Sequence, residues 1–261
     1  MEKADKYSLG MDFHNNSKEP MSPTSFDPKI PYKIYHNARS LSMEKNDVSE
    51  AMQLQDDFLR VLLMRKSTRC FAKSPVDSHT LAKLLTMSLG LRNDENDSPR
   101  RTYASAGGRY PIEAYVVILR SASCSNQKDS SNTDDLKQGV YHYNVVDNTL
   151  EFIKAGDYSD EIKHFYRNQE SHLDLNFPCL IIFSMVFSRS MEKYGEKGYR
   201  FALMDAGHMS QNLYLVAEYL GLGIVSLGGG AENDEFLDGI LSLVSDEENA
   251  FYGFAVGAPN M

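Results

Sequence analysis

The feature that most constrains the fold is CLIIFSMVF at residues 179–187, which has no charged residue and a single hydroxyl group, at Ser184. A membrane-spanning helix needs about 20 apolar residues, so this run is far too short to cross a bilayer. A continuous apolar run of this length predicts a β-strand that is buried on both of its faces. The chain is therefore expected to contain a sheet with at least one fully covered strand.

The other elements alternate irregularly between helical and strand patterns. Apolar spacing predicts helices over residues 47–64, 79–91, 157–170, 199–220 and 234–243, and strands over residues 114–120, 139–146, 150–153 and 251–256. Asp77 or Ser78 is the expected N-cap of the second helix. The longest helix is expected to bury a stripe of Tyr199, Leu203, Ala206, Leu213, Val216 and Leu220. Because helices and strands do not follow strict βαβ order, the predicted fold class is α+β.

Composition divides the chain into an arm and a domain. Residues 1–45 are polar and punctuated by prolines, which predicts an extended N-terminal arm. Residues 46–261 are predicted to form a single domain. Within it, residues 121–138 are rich in serine and asparagine and predict a flexible surface insertion between two strands.

Charge and cysteine content argue against several classes of protein. Lys and Arg number 27 and Asp and Glu number 36, which gives a net charge of −9. Binding to nucleic acid needs clustered cations, so no nucleic-acid partner is expected. The three cysteines lie far apart without a CxxC motif, so we expect neither a disulfide framework nor a metal site. The start, MEKADKYSLG, lacks the apolar stretch of a signal peptide, which predicts a soluble cytoplasmic protein with no membrane contact.

A basic cluster, RKSTR, follows the first predicted helix. Arg65, Lys66, Ser67 and Arg69 can converge on a phosphate group, to which guanidinium groups donate paired hydrogen bonds. The same residues could instead form an ordinary basic helix end that opposes the helix macrodipole. Spacing alone does not decide between these two interpretations.

Two glycine-containing segments could bring the backbone close to a flat ligand, because glycine leaves the N–H groups accessible. Their residues are Ser105, Ala106, Gly107 and Gly108 in YASAGGRYP, and Gly228 and Gly229 in SLGGG. The first segment is not a Rossmann fingerprint, since its spacing differs and no helix follows. A plain turn and a plain loop remain the alternatives.

The long predicted helix and the residues before it add further polar groups. Gln211 and Asn212 are adjacent, so one of them is expected to face inward and to need a partner. His208 fits a structural role better than a catalytic one. Lys193 and Tyr194 precede the helix, and both side chains are ordinarily protonated at neutral pH. Either acts as a base only where desolvation or a neighbouring charge assists it, so the dipeptide alone says little.

Taken in order, these segments resemble the nitroreductase superfamily. RKSTRCF resembles its arginine-rich opening motif, whereas YASAGGRYPIEAYVV and GYRFALMDAGHMSQNLYLVAEYLGLGIVSLGG resemble its SagB-type branch. FHNNSKE and PYKIYHNA are similar to the N-terminal arm of that branch. The resemblance covers most of the chain and is weakest in residues 121–138. It implies a mixed or antiparallel sheet flanked by helices, a homodimer with sites at the interface, and bound flavin mononucleotide (FMN).

The SagB-type branch includes azoline dehydrogenases, which oxidise thiazoline and oxazoline rings in ribosomally made peptides to thiazoles and oxazoles. The resemblance implies this activity, with reoxidation of the flavin by O2, and implies a precursor peptide and a cyclodehydratase complex as partners. Microcin-type members carry a Lys-Tyr pair before a GYR-ALM segment, which implies Lys193 and Tyr194 as catalytic residues. The implied cofactor-binding residues are Arg65, Lys66, Ser67, Arg69, Ser105, Ala106, Gly107, Gly108, Gln211, Gly228 and Gly229.

Two alternatives stay open at this point. The chain could be a reductase that passes electrons from NAD(P)H to nitro compounds or quinones, since this superfamily needs no Rossmann motif for that reaction. It could also be a non-catalytic, flavin-bearing member of a cyclodehydratase complex.

Overall fold

The computed structural model describes residues 8–18, 57–92, 100–121, 136–170, 172–230, 234–244 and 246–260. The helices are α1 (Ser8–Ser17), α2 (Asp57–Met64), α3 (Ser78–Leu89), α4 (Ser159–Phe165), α5 (Phe187–Tyr194), α6 (Lys197–Tyr219) and α7 (Glu235–Leu241). The strands are β1 (Leu91–Arg92), β2 (Arg100–Arg101), β3 (Ile112–Ile118), β4 (Gly139–Asn144), β5 (Thr149–Ala155), β6 (Cys179–Val186), β7 (Gly223–Leu227) and β8 (Glu248–Gly257). Residues 47–56 of the first predicted helix and residues 122–135 of the predicted insertion lie outside the described residues.

Six strands form one sheet in the order β5-β4-β3-β6-β8-β7, and every neighbouring pair is antiparallel. Strand β6 is the predicted CLIIFSMVF strand and lies in the interior of this sheet. Its Ile181 stands opposite Val116 of β3 on one side and Phe254 of β8 on the other. The first seven residues of β6 are buried. The predicted strand and the predicted α+β class are both confirmed.

Hydrophobic side chains pack against both faces of the sheet. On one face, Val116 belongs to a core that includes Leu84 of α3 and Leu213 of α6. On the other face, Val117 belongs to a core that includes Phe165 of α4. Helices on both faces exclude water from β6, which explains why its sequence is continuously apolar rather than alternating.

Helices α3 and α6 largely follow their predictions. Asp77 is the N-cap of α3, and its carboxylate accepts a hydrogen bond of 2.8 Å from the backbone N–H of Thr80. The predicted long helix is α6, with 23 residues. The prediction that Leu203 is buried was wrong, because the buried stripe passes through Ala202 and Ala206 and leaves Leu203 38 % exposed at its edge. In the described residues, no helix is both long enough and apolar enough to span a membrane.

Helix α1 corrects the prediction of an extended arm, which is wrong for residues 8–17. The Glu196 carboxylate accepts hydrogen bonds from backbone N–H groups at the start of α1, including that of Gly10 at 2.5 Å. His14 is buried, with Nδ1 3.0 Å from Tyr199 Oη and Nε2 3.0 Å from Asn249 Oδ1. Burial lowers the pKa of His14 to about 4. These partners lie more than 180 positions away in the chain, so local sequence did not reveal the helix.

Candidate functional site

Lys193 and Tyr194 occupy the last turn of α5. Gly195 follows with a φ of 59° and turns the chain into α6. Lys193 Nζ lies 5.2 Å from the centre of the Tyr194 ring, and that ring packs edge-on against Phe201 of α6 at 5.1 Å. Lys193 is exposed and forms no ion pair with the described residues, whereas Tyr194 is half-buried. The aromatic packing therefore fixes the tyrosine more firmly than the lysine.

The first glycine segment lies directly against these two side chains. Gly107 adopts the left-handed conformation, with φ 59° and ψ 22°. A Cβ atom at Gly107 would lie 2.6 Å from Lys193 Nζ and would overlap Tyr194 Oη. At Gly108, which has a similar φ of 64°, a Cβ atom would have nothing within 4 Å. A residue with a Cβ atom at position 107 would therefore have to displace the ends of the Lys193 and Tyr194 side chains from these positions.

Asp205 of α6 holds the start of this glycine segment. Its carboxylate accepts a hydrogen bond of 2.5 Å from Ser105 Oγ and one of 3.2 Å from the backbone N–H of Ala106. Ser105 Oγ in turn accepts from the backbone N–H of Tyr110 at 2.9 Å. Asp205 is only 2 % exposed, and burial raises its pKa above the ordinary value for an aspartate. The Ser105 hydroxyl is therefore already engaged within the chain, in a bond that shapes the loop.

A pocket of about 620 Å³ opens beside the glycine segment. Ser105, Gly107 and Gly108 form part of its wall. Arg101 and Tyr110 lie on the same wall, with the guanidinium carbon of Arg101 5.0 Å from the centre of the Tyr110 ring. A concave pocket of this volume is large enough for a small-molecule ligand or cofactor.

The basic cluster after α2 lies against the second half of α6. The Arg65 guanidinium stands 5.3 Å from the centre of the Tyr214 ring, and Ser67 Oγ lies 3.4 Å from Tyr214 Oη. Tyr214 Oη also accepts a hydrogen bond of 2.8 Å from the backbone N–H of Ser226 in β7. Tyr214 therefore links the basic cluster to the end of β7.

The cations of this cluster remain available for a ligand. Lys66 and Arg69 are exposed and Arg65 is half-buried. In the part of the chain that the structure describes, none of these three residues forms an ion pair. Three cations within five residues, without carboxylate partners there, are suited to an anionic group such as a phosphate.

The second glycine segment follows β7 directly. The carbonyl of Gly229 accepts a hydrogen bond of 2.8 Å from Gln169 Nε2, and that of Gly230 accepts one of 3.3 Å from Asn168 Nδ2. Asn168 Oδ1 is buried and has no hydrogen-bond partner among the described residues. A Cβ atom at Gly228 would meet nothing within 4 Å, so space alone does not require glycine there. The unpartnered oxygen is the notable polar feature beside this segment.

Predicted site residues and the new residues that contact them thus form two groups along α6. The Gly107 cluster consists of Gly107, Lys193, Tyr194 and Asp205, and the Arg65 cluster consists of Arg65, Ser67, Tyr214 and Ser226. Positions 205 and 214 are separated by about 14 Å along the helix axis, at ~1.5 Å per residue. Gln211 is exposed and lies between the two groups in α6. Within one chain, the predicted residues therefore do not converge on a single point.

Sequence reasoning missed Asp205 and Tyr214. Asp205 is an acidic residue on the buried stripe of α6, and a charge on an apolar face indicates a specific partner, so this signal was available. Tyr214 gave no such signal, because an aromatic residue on a buried stripe is typical of a core. Of the two adjacent amides, Asn212 faces inward and donates to the carbonyls of Ser88 and Thr102, as predicted for one of them.

The fold and the two clusters define a class of α+β protein: an antiparallel sheet between helices, with candidate binding groups along one long helix. A sequence profile described as the Nitroreductase family matches residues 62–258, and the chain belongs to this family. The resemblance to the nitroreductase superfamily is thereby confirmed.

Individual proteins show the same relationship. A Methanocaldococcus jannaschii protein named as a nitroreductase is 28 % identical over 195 residues, which cover 75 % of this chain and 87 % of that protein. The microcin B17-processing protein McbC of Escherichia coli is 30 % identical over 152 residues, which cover 58 % of this chain and 51 % of McbC. The alignment thus spans about half the length of McbC.

A solved structure shares the fold over nearly its whole length. It is a chain of the Escherichia coli microcin synthetase McbBCD complex with truncated pro-MccB17 bound. The TM-score is 0.71 at 20 % identity, and the match covers 100 % of this chain and 95 % of that chain.

Proposed function

We propose that the protein is an FMN-dependent azoline dehydrogenase, which oxidises thiazoline or oxazoline rings of a ribosomally made peptide to thiazoles or oxazoles. The observation that carries the proposal is the close approach of Gly107 to Lys193 and Tyr194. It places two groups that can exchange a proton beside a backbone that a flat ligand can approach. Similarity to a microcin B17-processing protein supports a ribosomally made peptide as the substrate.

The residues present fit FMN. The cations of Arg65, Lys66 and Arg69, which form no ion pair within the described ranges, suit its phosphate together with the Ser67 hydroxyl. The buried Asn168 Oδ1, which lacks a partner in the described part of the chain, offers an acceptor beside the second glycine segment. The residues proposed to line the flavin are Ser105, Ala106, Gly107, Gly108, Gln211, Gly228 and Gly229.

Oxidation of an azoline removes two hydrogens from adjacent ring carbons, one as a proton and one as a hydride. FMN, when bound, supplies the hydride acceptor and is then reoxidised by O2. Lys193 is the proposed base, and Tyr194 orients it, because the tyrosine is held by Phe201 while the exposed lysine can reach a substrate. Lys193 would be covered by bound flavin and substrate and would thereby gain the desolvation that a lysine base needs. With the roles exchanged, the Lys193 ammonium would stabilise a Tyr194 phenolate.

The proposal includes a homodimer. The Gly107 and Arg65 clusters lie about 14 Å apart along α6, so a second copy could bring its Arg65 cluster to the Gly107 cluster of the first. Leu203 and Met204 are 38 % and 53 % exposed next to Asp205, which supports a partner surface at this part of α6. The fold shared with a chain of the McbBCD complex supports a cyclodehydratase complex and a precursor peptide as further partners.

A second candidate function is reduction of nitro compounds or quinones with electrons from NAD(P)H. It is favoured by the similarity to the Methanocaldococcus jannaschii protein, which extends over 87 % of that protein. A non-catalytic role in a cyclodehydratase complex is the third candidate, in which Lys193 and Tyr194 would have no chemical task.

These functions separate in one set of assays. The purified protein is supplied with FMN, O2 and a synthetic peptide that carries one thiazoline, and the peptide mass is followed. We expect the loss of two hydrogens, with a peptide that already carries a thiazole as the unreactive control. Rapid bleaching of the bound flavin by NAD(P)H, without any change in the thiazoline peptide, would identify the reductase instead. Failure of the protein to bind FMN at all would contradict both enzymatic functions.

A further inference from the structure

The loop at residues 105–110 has a strained backbone. Gly107, Gly108 and Tyr110 all have positive φ, at 59°, 64° and 46°. Glycine adopts such angles freely, but a tyrosine adopts them only where its surroundings enforce the conformation. The loop that approaches Lys193 and Tyr194 must therefore be held in shape by its neighbours.

Asp205 holds the first half of this loop through Ser105 and Ala106. A second carboxylate, Glu113 of β3, reaches the other half through Arg189. Glu113 is 9 % exposed and accepts a hydrogen bond from Arg189 Nη1. The same Arg189 nitrogen donates to the carbonyl of Tyr110 at 3.1 Å, the residue with the unfavourable φ.

Arg189 also connects the loop to the helix that carries the proposed catalytic residues. It lies in α5, four residues and thus about one helical turn before Lys193. Arg109 Nε of the loop donates to the backbone carbonyl of Arg189 at 2.6 Å. The loop and α5 therefore donate hydrogen bonds to each other, and the Glu113 carboxylate connects Arg189 to strand β3 of the sheet.

We propose that Glu113, acting through Arg189, is a positioning residue that holds loop 105–110 and α5 in the register that places Gly107 against Lys193 and Tyr194. The expected effect on turnover rests on the proposed function, whereas the positioning of loop 105–110 by Glu113 and Arg189 does not depend on it. His142 supports Glu113 from β4, with Nε2 3.2 Å from the second carboxylate oxygen, and its other ring nitrogen meets Glu151.

Energetics favour a geometric role for this ion pair over a stabilising one. Burial alone would raise the pKa of Glu113, but the bonds from His142 and Arg189 lower it overall, so the carboxylate is ionised at neutral pH. Glu113 is largely buried, but the Arg189 side chain is 39 % exposed, so solvent screens the pair and its net contribution to stability is small. What the pair contributes is geometry, because one Arg189 nitrogen donates both to the Glu113 carboxylate and to the backbone carbonyl of Tyr110.

The test compares Glu113→Gln with the control Glu151→Gln, which alters the exposed carboxylate on the same histidine without touching Arg189. Hydrogen exchange reports on residues 105–110 and 189–194, and oxidation of a thiazoline peptide gives kcat and KM. For Glu113→Gln we expect exchange at residues 105–110 to rise about tenfold, as for loss of a charge-assisted hydrogen bond. We also expect kcat to fall about 10- to 100-fold, with KM nearly unchanged. Glu151→Gln should match the unmodified protein in both measurements.

Arg189→Lys is a milder second variant, in case Glu113→Gln does not fold. It keeps a cation for Glu113, but a lysine ammonium on its flexible stem is not fixed where Arg189 Nη1 contacts both Glu113 and the Tyr110 carbonyl. Exchange in the loop should therefore still rise at an unchanged unfolding midpoint. Normal loop exchange in both folded variants overturns the proposal, and so does faster exchange with an unchanged kcat. If the unmodified protein oxidises no azoline, the proposed function fails, while the exchange data still decide whether Glu113 holds the loop.

Discussion

Replacing Gly107 by alanine should remove most of the azoline-oxidising activity at a moderate loss of stability. The left-handed φ of 59° costs a non-glycine residue about 1–2 kcal/mol, which lowers the unfolding midpoint of a domain of this size by about 2–8 °C. In addition, the new Cβ atom would lie 2.6 Å from Lys193 Nζ, which must move by about 0.8 Å to reach an ordinary contact of 3.4 Å. Tyr194 Oη, which the Cβ atom would overlap, must move further. A displacement of about 1 Å at a reacting group can lower turnover about 100-fold.

Gly108→Ala is the matched control for this prediction. Its φ of 64° imposes nearly the same backbone cost, but the new methyl group meets nothing within 4 Å. Thermal unfolding followed by circular dichroism should therefore give similar midpoints for the two variants. Oxidation of a thiazoline peptide at saturating FMN should fall sharply only for Gly107→Ala. Equal turnover in the two variants would refute the inference that the approach of Gly107 to Lys193 and Tyr194 matters for the reaction.

Three further predictions concern cofactor binding, helix docking and pH. Arg65→Ala should weaken FMN binding, measured by equilibrium dialysis, about 10- to 100-fold. Arg60→Ala, which removes the exposed i,i+3 ion pair of α2, should leave FMN binding unchanged. Equal affinities of the two variants for FMN would argue against the Arg65 cluster as the phosphate site. Glu196→Ala should lower the free energy of unfolding by about 0.5–2 kcal/mol and speed hydrogen exchange in residues 8–18, because it removes the carboxylate at the start of α1. Unchanged hydrogen exchange would show that other contacts dock this helix. Burial and the neighbouring Asp238 raise the pKa of Asp234 to about 7 in the folded protein. Between about pH 4 and about pH 7 the unfolded chain has lost this proton while the folded protein keeps it, so the free energy of unfolding should fall as the pH rises through this range. Asp234→Asn should flatten this part of the pH profile in denaturant titrations, and an unaltered slope would contradict the assignment.

The core of the fold could be predicted because its signals are local. The apolar run at residues 179–187 can be buried on both faces only inside a covered sheet, and β6 occupies that position. Asp77 could be predicted as a cap because the capping bond reaches only three residues along the chain, to Thr80.

The features that escaped prediction depend on contacts between distant parts of the chain. Helix α1 is marginal alone, and it is docked by Glu196 and by the buried His14, whose partners lie far along the sequence. Leu203 fits the apolar period of α6 but lies at the edge of the stripe that faces the sheet. The approach of Gly107 to Lys193 and Tyr194 joins segments more than 80 residues apart. Resemblance to a family could nominate these residues, but only the fold shows that they meet.

The most direct test of the proposed function is the oxidation of a thiazoline peptide by the unmodified protein, Lys193→Ala and Tyr194→Phe, each loaded with FMN. The unmodified protein should form the thiazole. Both variants should keep FMN and a similar unfolding midpoint, since Lys193 is exposed and Tyr194→Phe retains the packing on Phe201. Their turnover should fall at least about 100-fold, the contribution expected of a general base. Thiazole formation at the unmodified rate by both variants would exclude Lys193 and Tyr194 as the catalytic residues.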